Sequence, residues 1–180
     1  VFFSSCDSVD FHGALLHKLR LPKELDKFKD SSEKENPIPL SVFHIHGSRS
    51  PKERMEAIRG FRTSHRAVLL CTDVAARGLD LKGVTFTVQY DPPTGGNGEE
   101  LEYLHRAGRT ARIGGHGDAL IFLLPSEKRY VAKLETRGAS MVEISGNAAL
   151  AALVPSTNLS SSDSLSYSAR LATSCLQEMV

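Results

Sequence analysis

Short apolar runs alternate along the first 137 residues with segments whose apolar residues recur at helical spacing. The apolar runs have the length of buried strands and lie at residues 1–4, 41–45, 67–71, 85–90 and 118–124. The periodic segments between and after them predict helices over residues 7–20, from Pro51 onward, over 99–109 and over 126–137. Strand and helix in regular alternation predict an α/β domain built on a parallel sheet with right-handed crossovers.

Two helix starts are marked by capping residues. Asp7 is placed to cap the first helix. Ser50, Pro51 and Glu53 form a stronger signal, because a serine cap, a proline at the first helical position and a glutamate three residues after the serine make a capping box. The apolar residues of this second helix are expected to face the core, and they are Met55, Ile58 and Phe61.

The composition of the chain changes at two places. Residues 21–40 combine charges, serines and two prolines, which is typical of a loop. Beyond residue 138 the chain becomes rich in serine, above all over 156–168. We therefore predict a domain over 1–137 and a partly ordered extension over 138–180 with a possible terminal helix. The abrupt start at Val1 suggests a piece of a longer protein.

Charge and cysteine content narrow the function. The formal net charge is +1, which excludes a polycation that binds nucleic acid by bulk attraction, so any anion recognition must be local. The three cysteines, Cys6, Cys71 and Cys175, lie far apart without CxxC spacing. That pattern favours a reducing compartment over a disulfide framework or zinc site. We expect no metal site in this chain and, since no apolar run reaches transmembrane length, no membrane contact.

Three segments carry candidate chemistry: HGSRSPKER at 46–54, TDVAARGLD at 72–80 and HRAGRTAR at 105–112. Hydroxyls and backbone amides after a strand suit phosphate binding, and planar guanidinium groups beside glycine suit bidentate phosphate contacts. Each segment alone also has an ordinary explanation. Asp73 and Asp80 could be a helix cap and a turn residue, and the arginines could be solvated or paired on the surface.

Together, and in this order, VFFSSC, HG…R, TDVAARGLD and YLHRAGRTAR resemble motifs IV, IVa, V and VI of the DEAD-box RNA helicases. The resemblance covers residues 1–137. It implies the C-terminal RecA-like domain of such an enzyme, with a parallel sheet and helices on both faces.

The resemblance also implies a role for each matching residue. Arg109 and Arg112 match arginine fingers that reach the γ-phosphate of ATP. The residues expected to bind the nucleotide are Gly78, Asp80, Arg109 and Arg112. Those expected to hold the RNA backbone are Ser5, Gly47, Arg54 and Thr72. His105 and Arg106 match residues that organise a network between the two RecA-like domains.

Two features depart from a complete enzyme. Pro51 stands where the family usually has glutamine, three residues before Arg54, so one polar contact is lost. The chain contains neither a GxxxxGK[ST] phosphate loop nor a DEAD tetrapeptide. We therefore expect it to be inactive alone, with ATP and Mg²⁺ held mainly by the N-terminal RecA-like domain of the same protein.

Further segments, SSCDSVDFH, VQYDPP and LLPSEKRYV, resemble the nucleolar DEAD-box helicases of large ribosomal subunit assembly. This implies pre-ribosomal RNA as the partner, a nucleolar location and a monomeric protein. Two other functions stay open. One is a non-catalytic RNA-binding or scaffold module that kept the fold, and the other is a DNA helicase or translocase with a similar motif VI.

Overall fold

The computed structural model describes residues 1–18, 40–73, 81, 83–94, 98–110 and 117–146. The chain divides into two compact units, the first made of residues 1–16 and 40–141, and the second of residues 17–39 and 142–180. The loop predicted over 21–40 lies outside the described residues except for Leu40, as does the extension beyond residue 146. The predicted domain boundary at 137/138 stays a prediction.

Four strands and four helices are formed by the described residues. The strands are β1 (Ser41–Ile45), β2 (Ala67–Cys71), β3 (Phe86–Gln89) and β4 (Asp118–Ile121). The helices are α1 (Cys6–Lys18), α2 (Pro51–Thr63), α3 (Glu99–Ala107) and α4 (Arg129–Glu135), with a short 3₁₀ turn at Pro125–Glu127 before α4. The alternation of strand and helix that the sequence predicts is confirmed.

All strand pairs are parallel. β1 pairs with β2 from Ser41↔Ala67 to Ile45↔Cys71, and β3 pairs with β4 from Phe86↔Asp118 to Gln89↔Ile121. Phe2 bridges both pairs, because it forms parallel bridges to Cys71 and to Gln89. The described residues therefore make one sheet in the order β1-β2-Phe2-β3-β4, with the predicted first strand at its centre.

Helices cover both faces of this sheet. Successive side chains of a strand point to opposite faces. Leu69 of β2 packs in one apolar cluster with Phe2 and Ile45, against α2. Its neighbour Leu70 packs in another cluster with Phe3 and Val9 of α1. The first cluster is completed by residues of α2, which are Ala57, Ile58 and Phe61.

A third cluster joins α3 to α4. Tyr103 of α3 packs with Tyr130 and Leu134 of α4, and Leu134 is fully buried. The Tyr130 hydroxyl donates to the Glu99 carbonyl oxygen at 2.9 Å, so the two helices are also joined by a hydrogen bond. This cluster fixes α3, whose last turn contains the beginning of the arginine-rich segment, His105 and Arg106.

Local structure corrects several sequence-based expectations. The first helix is capped by Ser5 and not by Asp7, because Ser5 Oγ accepts from the Ser8 amide at 3.1 Å. The capping box at Ser50 is confirmed. Met55 was expected in the core but is 68% exposed, because α2 packs through Ala57 and Phe61 on another side of the helix. The last strand and helix are also shorter than the apolar pattern predicts. No helix among the described residues is long and apolar enough to span a membrane.

Candidate functional site

Polar residues collect at one edge of the sheet, where the parallel strands end. Ser4 follows the central strand, His46 follows β1, Thr72 follows β2 and Asp91 lies two residues beyond β3. Ligands of open parallel sheets bind beyond this carboxyl edge. Two of the three segments singled out from the sequence, those that begin at His46 and Thr72, therefore meet at this edge.

An ion pair joins two of these segments. Arg106 of α3 donates through Nε to Asp73 Oδ1 at 2.7 Å and through Nη2 to Asp73 Oδ2 at 2.9 Å. The contact is bidentate, the arrangement in which guanidinium and carboxylate interact most strongly. Arg106 is 1% exposed, whereas the Asp73 side chain keeps 46% of its surface in solvent. The arginine is thus a buried group, neutralised by a carboxylate from a distant part of the chain.

The same arginine is held by two further contacts. Its Nη1 donates to the Asp91 carbonyl oxygen at 3.0 Å, and its guanidinium carbon lies 5.5 Å from the centre of the Phe2 ring. The Asp91 carboxylate in turn accepts from the backbone amide and the hydroxyl of Ser4, at 2.8 and 2.9 Å. We call Ser4, Asp73, Asp91 and Arg106 the strand-end network. It connects the ends of the central strand, β2 and β3 with α3.

Arg109 lies in the turn that follows α3. Gly108 caps the helix and donates to the Leu104 carbonyl oxygen at 2.7 Å, so the helix ends two residues earlier than the pattern predicts. The Arg109 amide donates to the Arg106 carbonyl oxygen at 3.2 Å, and its Nε donates to the His105 carbonyl oxygen at 3.1 Å. Arg109 is half-buried and His105 is exposed.

The residues expected to bind RNA lie at the same edge. Thr72 is half-buried, and its amide donates to the Ile45 carbonyl oxygen at 3.2 Å, which places it beside the loop that begins at His46. Gly47 in that loop is exposed, and a Cβ built there would meet nothing within 4 Å. The fold itself therefore does not require glycine at position 47. Ser5 is half-buried and already uses its hydroxyl to cap α1.

Arg54 lies in the first turn of α2, where the positive end of the helix attracts anions. The residue is half-buried, and its Nε is buried without a hydrogen-bond partner among the described residues. A buried donor without a partner costs free energy, which a ligand oxygen would relieve. Pro51 occupies the first position of the helix, where its missing amide hydrogen carries no penalty.

A second cluster orders the loop before α2. Asp10 of α1 accepts from Arg49 Nη2 at 2.9 Å and lies 3.2 Å from Nε2 of the buried His46. The hydrogen bond from Arg49 is the main cause that lowers the pKa of Asp10, and His46 adds to the effect. Arg49 also pairs with Glu53 at 3.8 Å. The loop is thereby tied to α1 on one side and to α2 on the other.

Three predicted nucleotide-binding residues, Gly78, Asp80 and Arg112, lie outside the described residues, so their predicted roles stay predictions. The described part of the chain contains no group of three or more His, Cys, Asp or Glu side chains able to hold a metal ion. Of the groups expected to contact ATP, the structure therefore describes Arg109 alone.

Sequence reasoning missed the partners of the buried arginine. Asp73 was read as a possible helix cap, and Asp91 was not considered. A usable signal existed, because Arg106 belongs to the amphipathic helix α3 and an acid directly after a buried strand is within reach of it. Which of the arginines turns inward could not be read from their spacing.

Comparison with known proteins gives a family match. The model of the helicase conserved C-terminal domain matches residues 7–114. The rice DEAD-box ATP-dependent RNA helicase 17 is 46% identical over 143 residues, which are 79% of this chain and 23% of that protein. The human ATP-dependent DNA helicase DDX31 is 43% identical over 144 residues, 80% of this chain and 16% of that protein. The chain thus spans about a fifth of the length of these relatives.

Solved structures agree with the fold. The C-terminal domain of the DEAD-box protein Dbp5 is 26% identical with a TM-score of 0.58, over 78% of this chain and 69% of that one. Domain 2 of the DEAD-box helicase Mss116p, solved with an RNA duplex, is also 26% identical with a TM-score of 0.58, over 99% of this chain and 65% of that one. The predicted RecA-like α/β fold is confirmed. The chain therefore belongs to the helicase conserved C-terminal domain family, and the relatives it matches within that family include DEAD-box helicases.

Proposed function

We infer that the chain is the C-terminal half of the two-domain core of an ATP-dependent RNA helicase. In this proposal it supplies positive charge to an ATP site completed by the other RecA-like domain and holds RNA by its backbone. The observation that carries the proposal is that the three matching segments approach one another. The Thr72 amide bonds to the end of β1, where the loop with Gly47 begins, and Arg106, three residues before Arg109, bonds to Asp73. An RNA-only module would need Thr72 and Arg54 but not Arg109.

The proposed RNA binding depends on side chains that recognise the shape and charge of the RNA backbone. Arg54 offers a partly buried guanidinium at a helix N-terminus, and Thr72 offers a hydroxyl at a strand end. Such groups bind phosphate and sugar and carry little sequence information. We therefore propose that the chain grips one RNA strand with little sequence preference, and that contacts with ribose hydroxyls favour RNA over DNA.

The nucleotide side rests on Arg109. Bound ATP would bring the γ-phosphate and its Mg²⁺, and transfer of that phosphate to water develops negative charge. Arg109 would face this charge from a turn whose backbone is hydrogen-bonded to α3. A positioned arginine of this kind is worth about 10³- to 10⁵-fold in rate in related phosphate chemistry. Gly78, Asp80 and Arg112 are proposed to complete the pocket.

Pre-ribosomal RNA and a nucleolar location are the finer part of the proposal. They rest on the similarity of the segments SSCDSVDFH, VQYDPP and LLPSEKRYV to helicases of large ribosomal subunit assembly. The exposed His105 is proposed as a member of the interdomain network, and the protein is proposed to act as a monomer.

The proposal is tested by Arg109→Ala in the full-length helicase that contains this chain. We expect ATP turnover at saturating RNA to fall by about 10³-fold or more, while the Kd for RNA changes little. The matched control is Arg137→Ala, since Arg137 is an exposed arginine outside the site. Turnover near the wild-type rate in Arg109→Ala would disprove the finger assignment.

A DNA-unwinding activity is the second candidate, since one relative with 43% identity is named a DNA helicase. The two candidates are separated by measuring ATP turnover with single-stranded RNA and with DNA of the same sequence. Stimulation by RNA alone supports the first function. Equal or greater stimulation by DNA would replace it with the second.

A further inference from the structure

We propose that Asp73 and Arg106 are positioning residues, whose ion pair holds the turn carrying Arg109 in a fixed place relative to the strand end that carries Thr72. The proposal rests on the proposed function, because it assigns these two residues a task in the same site. It differs from a direct role of Arg106 toward a ligand or a neighbouring domain.

The first argument is the burial of Arg106. Its side chain is 1% exposed, and three of its N–H groups already donate to Asp73 and Asp91 at 2.7 to 3.0 Å. A side chain in this state has little surface left for a phosphate. Its charge therefore acts inside the domain, on the elements that surround it.

The second argument is the way in which the turn after α3 is held at both ends. Arg106 fixes the start of the turn, and the Arg109 amide donates directly to the Arg106 carbonyl oxygen. At the other end, the buried Thr110 donates through Oγ1 to the Val84 carbonyl oxygen at 2.9 Å. Arg109 lies between these two anchors. A change at the first anchor must therefore move the backbone from which Arg109 projects.

The third argument is the position of Asp73 beside Thr72. The carboxylate that holds Arg106 follows Thr72 directly, and the Thr72 amide is bonded to the end of β1. The same ion pair thus fixes the distance between the proposed RNA contact at Thr72 and the proposed ATP contact at Arg109. Ser4 and Asp91 extend this connection to the central strand and β3.

The test uses the full-length helicase and measures kcat and KM for ATP together with the Kd for single-stranded RNA. Asp73→Asn keeps the shape of the side chain and removes its charge. We expect kcat to fall by up to about 100-fold, because a displacement of about 1 Å can cost that much, with a much smaller change in KM. Arg106→Lys keeps the charge but loses the bidentate geometry, and we expect its kcat to lie between those of the wild type and Arg106→Met. Lys133→Gln removes an exposed cation that pairs with the half-buried Glu99 at 3.9 Å, and it serves as the control.

A double mutant separates positioning from general damage. If the ion pair acts through Arg109, then Asp73→Asn should change the residual single-turnover rate of Arg109→Ala by no more than about twofold, because residues that act as a unit are not additive. An equal proportional loss in both backgrounds would overturn the proposal, and so would a wild-type kcat in Asp73→Asn.

Far-UV circular dichroism at the assay temperature shows whether each variant is folded. If Asp73→Asn is unfolded, the same cycle is run with Arg106→Lys. The proposed function fails separately, by normal turnover in Arg109→Ala alone.

Discussion

Substitutions at the two members of the Asp73–Arg106 ion pair are expected to lower the free energy of unfolding by different amounts. Asp73→Asn leaves a guanidinium that is 1% exposed facing a neutral amide. Arg106→Met instead leaves the Asp73 carboxylate, whose side chain is 46% exposed and can be hydrated in place. The two variants therefore break the same contact but leave charges in very different surroundings.

The surroundings of the charge that remains determine how much stability each variant loses. Removing one member of a buried pair costs about 3 to 5 kcal/mol when the remaining charge stays buried. We expect the lower end, about 3 kcal/mol, for Asp73→Asn, because the Asp91 carbonyl and the Phe2 ring still contact the arginine. For Arg106→Met we expect a smaller loss, about 2 kcal/mol. Its two hydrogen bonds to Asp73 and one to the Asp91 carbonyl are lost, but the remaining carboxylate reaches water and the methionine fills most of the space.

Urea unfolding of the 180-residue chain, followed by far-UV circular dichroism at pH 7, measures both changes. Lys133→Gln is again the control, and because its lysine is exposed and the pair is long, at 3.9 Å, its loss should cost about 0.5 kcal/mol or less. The reasoning is refuted if Arg106→Met is as destabilising as Asp73→Asn, or more so. That result would mean that packing around the arginine, and not the buried charge, dominates.

Three further predictions concern Arg54, Asp10 and the buried Cys71 of β2. Arg54→Ala should weaken RNA binding, and it should reduce the slope of the logarithm of the RNA association constant against log salt by about 0.7 to 1. Arg59→Ala, on the exposed side of the same helix, is the control and should leave that slope unchanged. Equal slopes in the wild type and Arg54→Ala would remove Arg54 from the RNA surface. Asp10→Asn should lower the urea midpoint at pH 7, because Arg49 lowers the pKa of Asp10 and the ionised carboxylate is therefore the stabilising form. The effect of the substitution should disappear as the pH falls below about 4. A difference in urea midpoint between the two proteins that persists in acid would contradict this reasoning. Burial raises the pKa of Cys71 to about 11. Alkylation of the folded chain at pH 8 should therefore leave Cys71 unmodified, which mass spectrometry can check. Rapid labelling of Cys71 would show that the strand is accessible to the reagent.

The raised pKa of the Cys71 thiol also predicts that the stability of the chain decreases at alkaline pH. The pKa of Cys71 is raised by folding, so its contribution is complete below about pH 9, the pKa of the exposed thiol, and is lost as the pH rises toward about 11. The Cys71→Ala variant should lack this alkaline decline when urea midpoints are compared from pH 8 to 11. An identical decline in both proteins would assign it to other groups.

Local patterns determined most of the secondary structure. The segments at 41–45 and 67–71 became strands with those bounds. AVLLC at 67–71 is apolar throughout, as expected of a parallel strand covered on both faces, and its last three residues are buried. The capping box at Ser50 marked the start of α2, since its bonds lie within four residues. The prediction that Met55 lies in the core was wrong, because the spacing of apolar residues defines the buried face of a helix only to within about one residue. In α2 the residues that face the sheet include Ala57 and Phe61.

The sequence by itself also determined the family, since the matching segments keep residue types and order that a comparison can recognise. It did not determine which arginine of the cluster at 105–112 is buried. Within that segment no acid is present, and all three arginines look alike. Only the tertiary structure brings Asp73, 33 residues earlier in the chain, within 2.7 Å of Arg106.

The physical reason is the parallel sheet. Its crossovers carry the ends of separate strands to one edge, so charges that are far apart in the chain neutralise one another there. Spacing along the chain predicts which side chains share a helix face, but the partners across that edge depend on the order of the strands.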